Sequence, residues 1–500
     1  MIIDPDYGHA VDRHRNPLLR NLQNCRDEYE QTSTKLNKSA EFLRTMPILP
    51  PCFAPPPYAT LRYRQMNNEE MRKKERHWRN ATIRWRAQQS KHTHQYAGGQ
   101  TARDNINNLR SRKTTSSNMT VASKTQAALI GGSDGDIVLS NYAPMPPAPL
   151  EDDQVAVEVK AISLNPVDTK MTGGYHTTGA ISGCEFAGIV TAAGPVATKD
   201  WGLRPGDCVS AAIMGMNPLR PKIGAFAQHS VAPARCVLKM RNDWTFAQSA
   251  GIGNSWYTVA WALFHTMGLP AGPNLEPLNS EVSPPVLPGP KININNFGGA
   301  AGKRTTVLVS GGSSSTGTCA IQLLKMAGFS VVATCSERNF DLVRSYGVDV
   351  VFNHASPTAA DDIRAYTRNG LRFALDCITT TETTRLCYAA LGRSGGRYVA
   401  LDPYSEAIAA TRAVVRPDWV LGPEMIGEVV GWPAPHGRRA NPTAKAFCEV
   451  WNRTLQGLLD RGLIRTHPQL IRDTGLAGAL EGFEDIRAKK VSGQKLIYTL

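Results

Sequence analysis

The stretch Val307–Gly317, VLVSGGSSSTG, decides the fold. Val307 to Val309 are an apolar run of β-formers, small residues follow, and TGTCAIQLLKMAG (316–328) sets apolar side chains at helical spacing up to Gly328. The order is strand, tight turn, helix. It is the local plan of a dinucleotide loop with Gly312 and Gly317 as the first and third glycines, but Ser314 stands where the middle glycine belongs. The motif alone is therefore a weak signal.

Its surroundings strengthen it. Beyond Lys303 strand and helix patterns alternate: TTVLVS, GTCAIQLLKMAG, FSVVATC, NFDLVRSYG, DVVFN, AADDIRAYTRN, LRFALDCI, ETTRLCYAAL and GRYVAL. Such alternation predicts a parallel, doubly wound sheet with right-handed crossovers, which binds ligands at the carboxyl ends of its strands. Upstream, QAALIGG, DIVLSNYAP, QVAVEVKAISLNP, EFAGIVTAAGP and RPGDCVSAA read as short strands, with strict alternation in VAVEVKA (155–161). This predicts a compact β-rich domain. Helical pattern begins near WTFAQSAGIGNSWYTVAWALFHTMG (244–268), and a Pro/Gly/Asn-rich loop occupies 266–304.

The 500 residues are 42% hydrophobic and 20% charged, which is enough for a sizeable core and more than one domain. No stretch approaches ~20 consecutive apolar residues, and MIIDPDYGHAVDRHR lacks the order of a secretory signal, so a soluble cytoplasmic protein is expected. The ten cysteines contain no C-x-x-C pair and read as reduced thiols, mostly packed inside.

The net charge of +14 points toward nucleic acid or membrane only until it is located: residues 1–118 carry 21 Lys and Arg against 11 Asp and Glu. That quarter reads as a basic, largely disordered extension with at most one helix. The Arg and Trp residues of its charged segment admit a nucleic-acid contact, against the plainer reading of a solvated tail, with Met119 as an alternative start.

A β-rich domain followed by a Rossmann unit, joined near GIGNSWYTVAWAL (251–263), resembles the medium-chain dehydrogenase/reductase superfamily over roughly 125–500. NPVDTKM (165–171), ALDCIT (374–379), VLGPEMIGE (420–428), TCSERNFDLVRSYG (334–347) and VSGQKLIYTL (491–500) together are similar to the fungal trans-acting enoyl reductases that serve iterative polyketide synthases. The resemblance implies an α/β chain with a GroES-like catalytic domain (119–265 and 430–500) and a Rossmann cofactor domain (305–429). It implies hydride transfer from NADPH to the β-carbon of an α,β-unsaturated thioester on an acyl carrier protein of the synthase, by a protein expected to be monomeric.

Zinc is the competing cofactor, since many medium-chain dehydrogenases hold it. Where a zinc member has Gly-His-Glu, this chain reads Gly183-Cys184-Glu185; NPVDTKM lacks the first ligand, and the four-cysteine structural site is missing. No metal is expected. For the nucleotide, NADP sites surround the extra phosphate with hydroxyls and a cation. Ser336, Arg338 and Asn339 offer that arrangement after the second Rossmann strand, with Glu337 a counter-indication.

Small side chains leave loop amides and a helix N-terminus free for a pyrophosphate, so Ser313, Ser314, Ser315 and Thr316 are expected to bind cofactor. The family pattern adds Val167, Asp168, Thr169 and Lys170, then Ala400, Leu401, Val491 and Ser492. His354 joins them although the family often has tyrosine there. The resemblance places the acyl group against Gly253, Asn254, Ser255, Trp256, Tyr257, Thr258, Val259 and Ala260 and against Gly422, Pro423, Glu424, Met425 and Ile426. Lys170 and Thr258 are the expected catalytic residues, the Lys170 ammonium to orient the cofactor, polarise the thioester carbonyl or donate the proton, and the Thr258 hydroxyl to hydrogen-bond that carbonyl. Arg412 and Arg416 are candidates for docking the acidic carrier. A stand-alone quinone or enone reductase is the alternative, and a non-catalytic nucleic-acid-binding protein a further one.

Overall fold

The computed structural model describes residues 124–269 and 305–500. The basic first quarter, Met119 and most of the Pro-rich loop lie outside the described residues. Seven strands come first: β1 (Thr125–Gly131), β2 (Ile137–Pro144), β3 (Gln154–Ser163), β4 (Glu185–Ala193), β5 (Cys208–Ala212), β6 (His229–Pro233) and β7 (Val237–Lys239). Then follow β8 (Thr306–Ser310), β9 (Ser330–Cys335), β10 (Val350–Asn353), β11 (Phe373–Asp376), β12 (Gly396–Ala400) and β13 (Val415–Trp419). The last two are β14 (Gln469–Arg472) and β15 (Lys495–Thr499).

The second group forms a six-stranded sheet in the order β10-β9-β8-β11-β12-β13, and every adjacent pair is parallel. This is the doubly wound order 3-2-1-4-5-6, whose reversal between its first and fourth strands opens a ligand crevice at the carboxyl edge. The apolar run of β8 is explained by burial on both faces: Val307 and Val309 enter one core, Leu308 the other. β13, absent from the sequence reading, closes the sheet beside β12.

The β-rich part is a seven-stranded sheet, β14-β15-β3-β4-β5-β7 with β6 also on β3, beside a two-stranded β1–β2 ribbon. The alternation in β3 is realised, with Val155, Val157 and Val159 in the barrel core alongside Phe186, Phe226 and Phe483. The last strand enters this sheet too, since β15 pairs antiparallel with β3. The helix Gly253–Ala260 and the long helix Pro442–Asp460 share the core of the parallel sheet through Trp256, Val259, Phe447 and Trp451. Among the described residues no helix is long and apolar enough to cross a membrane. The eight described cysteines are free thiols, and six are buried.

Candidate active site

The loop after β8 keeps its glycines where backbone geometry demands them. Gly311 has φ +79°, and a Cβ there would lie 2.5 Å from Ile378 Cγ1. The tight-turn glycine is thus Gly311 rather than Gly312. A Cβ on Gly317 would lie 2.3 Å from the Gly311 carbonyl oxygen, the close approach of helix to strand that the third glycine serves. Ser314, in place of the middle glycine, is the N-cap of the helix Ser315–Met326: its Oγ accepts from the Gly317 N–H at 3.0 Å and donates to the Gly311 carbonyl at 2.8 Å. Its hydroxyl is therefore spent inside the loop. The Ser315 hydroxyl is likewise paired with that of Ser255 at 2.7 Å, which joins the loop to the helix Gly253–Ala260. What the loop keeps for an anion is the set of first-turn amides with no acceptor inside the helix.

The other expected cofactor positions gather at the same edge. Asn339 donates from Nδ2 to Ser313 Oγ at 3.2 Å and to Ser492 Oγ at 3.1 Å, so three segments distant in sequence meet at one amide. Ser336 Oγ lies 3.1 Å from His354 Nε2, and Glu337 accepts from Asn353. Glu337 and Arg338 are both exposed. Ala400 ends β12, and the Leu401 N–H donates to Thr379 Oγ1. Arg412 is not free for docking: its guanidinium donates to the carbonyls of Tyr388, Leu391 and Gly392 and closes the helix Thr381–Ala390.

A cavity of about 40 Å³ is lined by Val167, Asn254, Tyr257 and Thr258 on one side and by Gly422, Pro423, Met425 and Ile426 on the other. Thr258 faces the second segment closely, since a Cβ on Gly422 would lie 3.0 Å from its Oγ1. A second cavity of similar size shares Ile213, Pro423 and Ile426 and continues along Met214, Ile223 and Val231 of the barrel. Ser255, Trp256, Val259 and Ala260 do not line the first cavity; Trp256 is 1% exposed and belongs to the core. Tyr257 lines it, while its hydroxyl takes a hydrogen bond from Asn452 Nδ2. Glu424 faces away, accepting from Asn441.

The turn Asp168–Lys170 carries two contrasting side chains. Asp168 is buried, accepting from the Asn165 N–H at 2.7 Å and from Cys184 Sγ at 3.1 Å. Burial pushes its carboxyl up to about 7 against those hydrogen bonds, and burial with the neighbouring Asp168 pushes the Cys184 thiol well up. Lys170 is exposed and ion-paired with Asp402. Thr169 turns its backbone carbonyl to Arg487 Nη2.

Next to Asp168 lies a buried ion pair that the sequence reading missed. Lys495 Nζ sits 2.5 Å from Glu185 Oε1 and 2.7 Å from Asn165 Oδ1, while Glu185 Oε2 accepts the Asn254 N–H. These are the residues around the position where a zinc member holds its metal. They do not fit one: the thiol is protonated and donates to Asp168, and an ammonium already neutralises Glu185. Among the described residues no cluster of three or more His, Cys, Asp or Glu is arranged to hold a metal ion.

A GroES-like domain joined to a Rossmann sheet, with its cavity at their junction, defines a medium-chain dehydrogenase/reductase. Two family models match, the alcohol dehydrogenase GroES-like domain over residues 151–242 and the zinc-binding dehydrogenase over 315–409. The chain is 75% identical over 384 residues to the trans-enoyl reductase tasC of Hapsidospora irregularis, covering 76% of this chain and 100% of that protein. It is 70% identical to the trans-enoyl reductase cghC of Chaetomium globosum, with the same coverages. The chain belongs to the trans-enoyl reductase family. Among solved structures, the CurK enoyl reductase matches with a TM-score of 0.55 at 17% identity, over 75% of this chain and 98% of its own. A mycobacterial protein solved in complex with NADPH matches at 0.54 and 18%, over 75% of this chain and 100% of its own.

Proposed function

We propose that this chain is a trans-acting enoyl reductase that uses NADPH to reduce α,β-unsaturated polyketide thioesters presented on the acyl carrier protein of a partner synthase. The observation that carries the reading is the meeting of Val167 and Thr258 with Gly422, Pro423, Met425 and Ile426 around one cavity beside the carboxyl edge of the parallel sheet. The nucleotide, when bound, supplies the hydride that adds to the β-carbon.

The residues do the rest. Ser313, Asn339 and Ser492 form one hydrogen-bonded patch for the nucleotide, with Ser336 and the exposed Arg338 at the end of β9 for a 2′-phosphate. Thr258 holds the thioester carbonyl by its hydroxyl, and the Lys170 ammonium stabilises the negative charge that grows on that oxygen. The second cavity takes the distal acyl chain along its apolar side, Ile213 and Ile426, with Arg220 and Glu428 also in its lining.

The test is the loss of NADPH absorbance with an α,β-unsaturated acyl-pantetheine thioester, repeated with the substrate on a carrier protein and with NADH. Turnover with NADPH that improves on the carrier-bound substrate supports the reading. A protein that binds NADPH and reduces only free quinones or small enones overturns it.

A further inference from the structure

Lys170 does not stand alone. Its ammonium pairs with Asp402 Oδ2, and the other carboxylate oxygen accepts from His436 Nε2 at 2.9 Å. A carboxylate can only accept, so the His436 proton sits on Nε2, and in the neutral imidazole Nδ1 is left to accept the Tyr175 hydroxyl, 2.9 Å away. The four side chains form one line through three parts of the chain: the loop after β3, the residue two places beyond β12, and the segment between β13 and the helix Pro442–Asp460.

The far end of the line is rigid. His436 meets Tyr175 edge to face at 5.1 Å and Trp419 at 5.2 Å, and Tyr175 packs edge-on to Trp432 at 6.5 Å. Trp432 is anchored by its indole N–H to the Met216 carbonyl, and Arg438 covers the Trp419 ring at 4.5 Å. Behind Lys170 the turn is held by Arg487 on the Thr169 carbonyl. An exposed ion pair by itself contributes little. Here the carboxylate is fixed from its other oxygen, so the flexible lysine meets a preorganised partner.

We infer that Asp402, His436 and Tyr175 are positioning residues that hold the Lys170 ammonium in one place at the carboxyl edge of the sheet, where the proposed reduction needs it. The inference rests on the role given to Lys170 above. None of the three sits in a motif that singled out the site, and none lines the cavity.

The experiment uses the full chain with Asp402→Asn, Tyr175→Phe and Lys170→Ala beside wild type. Tyr175→Phe keeps the ring contacts and removes only the hydroxyl. The first readout is independent of turnover: the rate at which an amine-acylating reagent labels Lys170 in the nucleotide-free protein, followed by mass spectrometry. Labelling rises several-fold in Asp402→Asn and less in Tyr175→Phe. The second is kinetic: in Asp402→Asn kcat falls about 10- to 100-fold, as for a catalytic group displaced by an ångström, with KM for NADPH unchanged. The isotope effect with NADPH deuterated at C4 rises there, because the hydride step has become slower relative to release.

Unchanged labelling in Asp402→Asn overturns the positioning chain. So does wild-type turnover and isotope effect in that variant when Lys170→Ala has lost turnover. Wild-type turnover in Lys170→Ala overturns instead the role of Lys170 and with it the catalytic purpose of the chain.

Discussion

Lys495 Nζ lies 2.5 Å from Glu185 Oε1 with both side chains shut away from water, 5% and 0% exposed. Removing one partner strands the other as a buried charge, which typically costs about 3–5 kcal/mol. Lys495→Met is expected to lower the unfolding free energy by that order in urea titration. The double variant Glu185→Gln/Lys495→Met, which strands no charge, recovers most of the loss.

Asp168 makes stability depend on pH in the direction opposite to an ordinary salt-bridged carboxylate. Its folded pKa, about 7, lies above the 3.8 usual for an aspartate, so between these limits the native state binds more protons than the unfolded one. Unfolding free energy therefore falls as pH rises from about 4 to about 7. Asp168→Asn is expected to flatten that part of the profile and to gain on wild type at pH 8 relative to pH 4, as read from melting temperatures across the range.

Gly317→Ala puts a methyl group 2.3 Å from the Gly311 carbonyl oxygen. Overpacking of this kind costs about 1–3 kcal/mol, and here the strain falls on the loop itself. The variant is expected to melt lower and to lose nucleotide affinity at least 10-fold, whereas Ser315→Ala, which removes only the bond to Ser255, keeps most of its affinity. Fluorescence titration with NADPH separates the two.

Arg338 is exposed at the end of β9 beside Ser336. A charge-assisted hydrogen bond to a phosphate is worth about 1.5–3 kcal/mol, so Arg338→Ala should weaken NADPH binding about 10- to 100-fold and leave NADH unchanged. Equal loss for both nucleotides would count against Arg338 as the 2′-phosphate contact.

Thr258 and Gly422 face each other across the cavity, with only a hydrogen on the glycine side. Thr258→Val preserves shape and removes the hydroxyl; kcat for an enoyl thioester is expected to drop about 10- to 100-fold, the effect of one hydrogen-bond donor at a developing oxyanion. Gly422→Val crowds the same point sterically and should raise KM for the thioester more than it lowers kcat.

Much of the fold was legible because its signals are local. The alternation in β3 and the apolar runs of β8, β9 and β11 follow directly from which strands have one face buried and which have two. β6, β7, β13, β14 and β15 were not read as strands: β7 has three residues, and β13, VRPDW, carries a proline and alternates exposed positions at the sheet edge. The loop was read correctly as strand, turn and helix, but the protein partners of its hydroxyls were not legible. A serine at an N-cap looks the same in sequence as a serine that meets a ligand, and only the bonds of Ser314 and Ser315 reveal that both are committed to the protein.

The sequence by itself determined the two-domain plan, the strand–turn–helix loop and the short strings at Asn165–Met171 and Val420–Glu428, because each is written in contiguous residues. The tertiary structure alone decided which side chains share a site. Lys170 meets Asp402 across 232 residues, His436 meets Tyr175 across 261, and Lys495 meets Asn165 across 330. Contacts of that span depend on how a sheet and a barrel pack together, and periodicity, which reports only near neighbours, carries no trace of them.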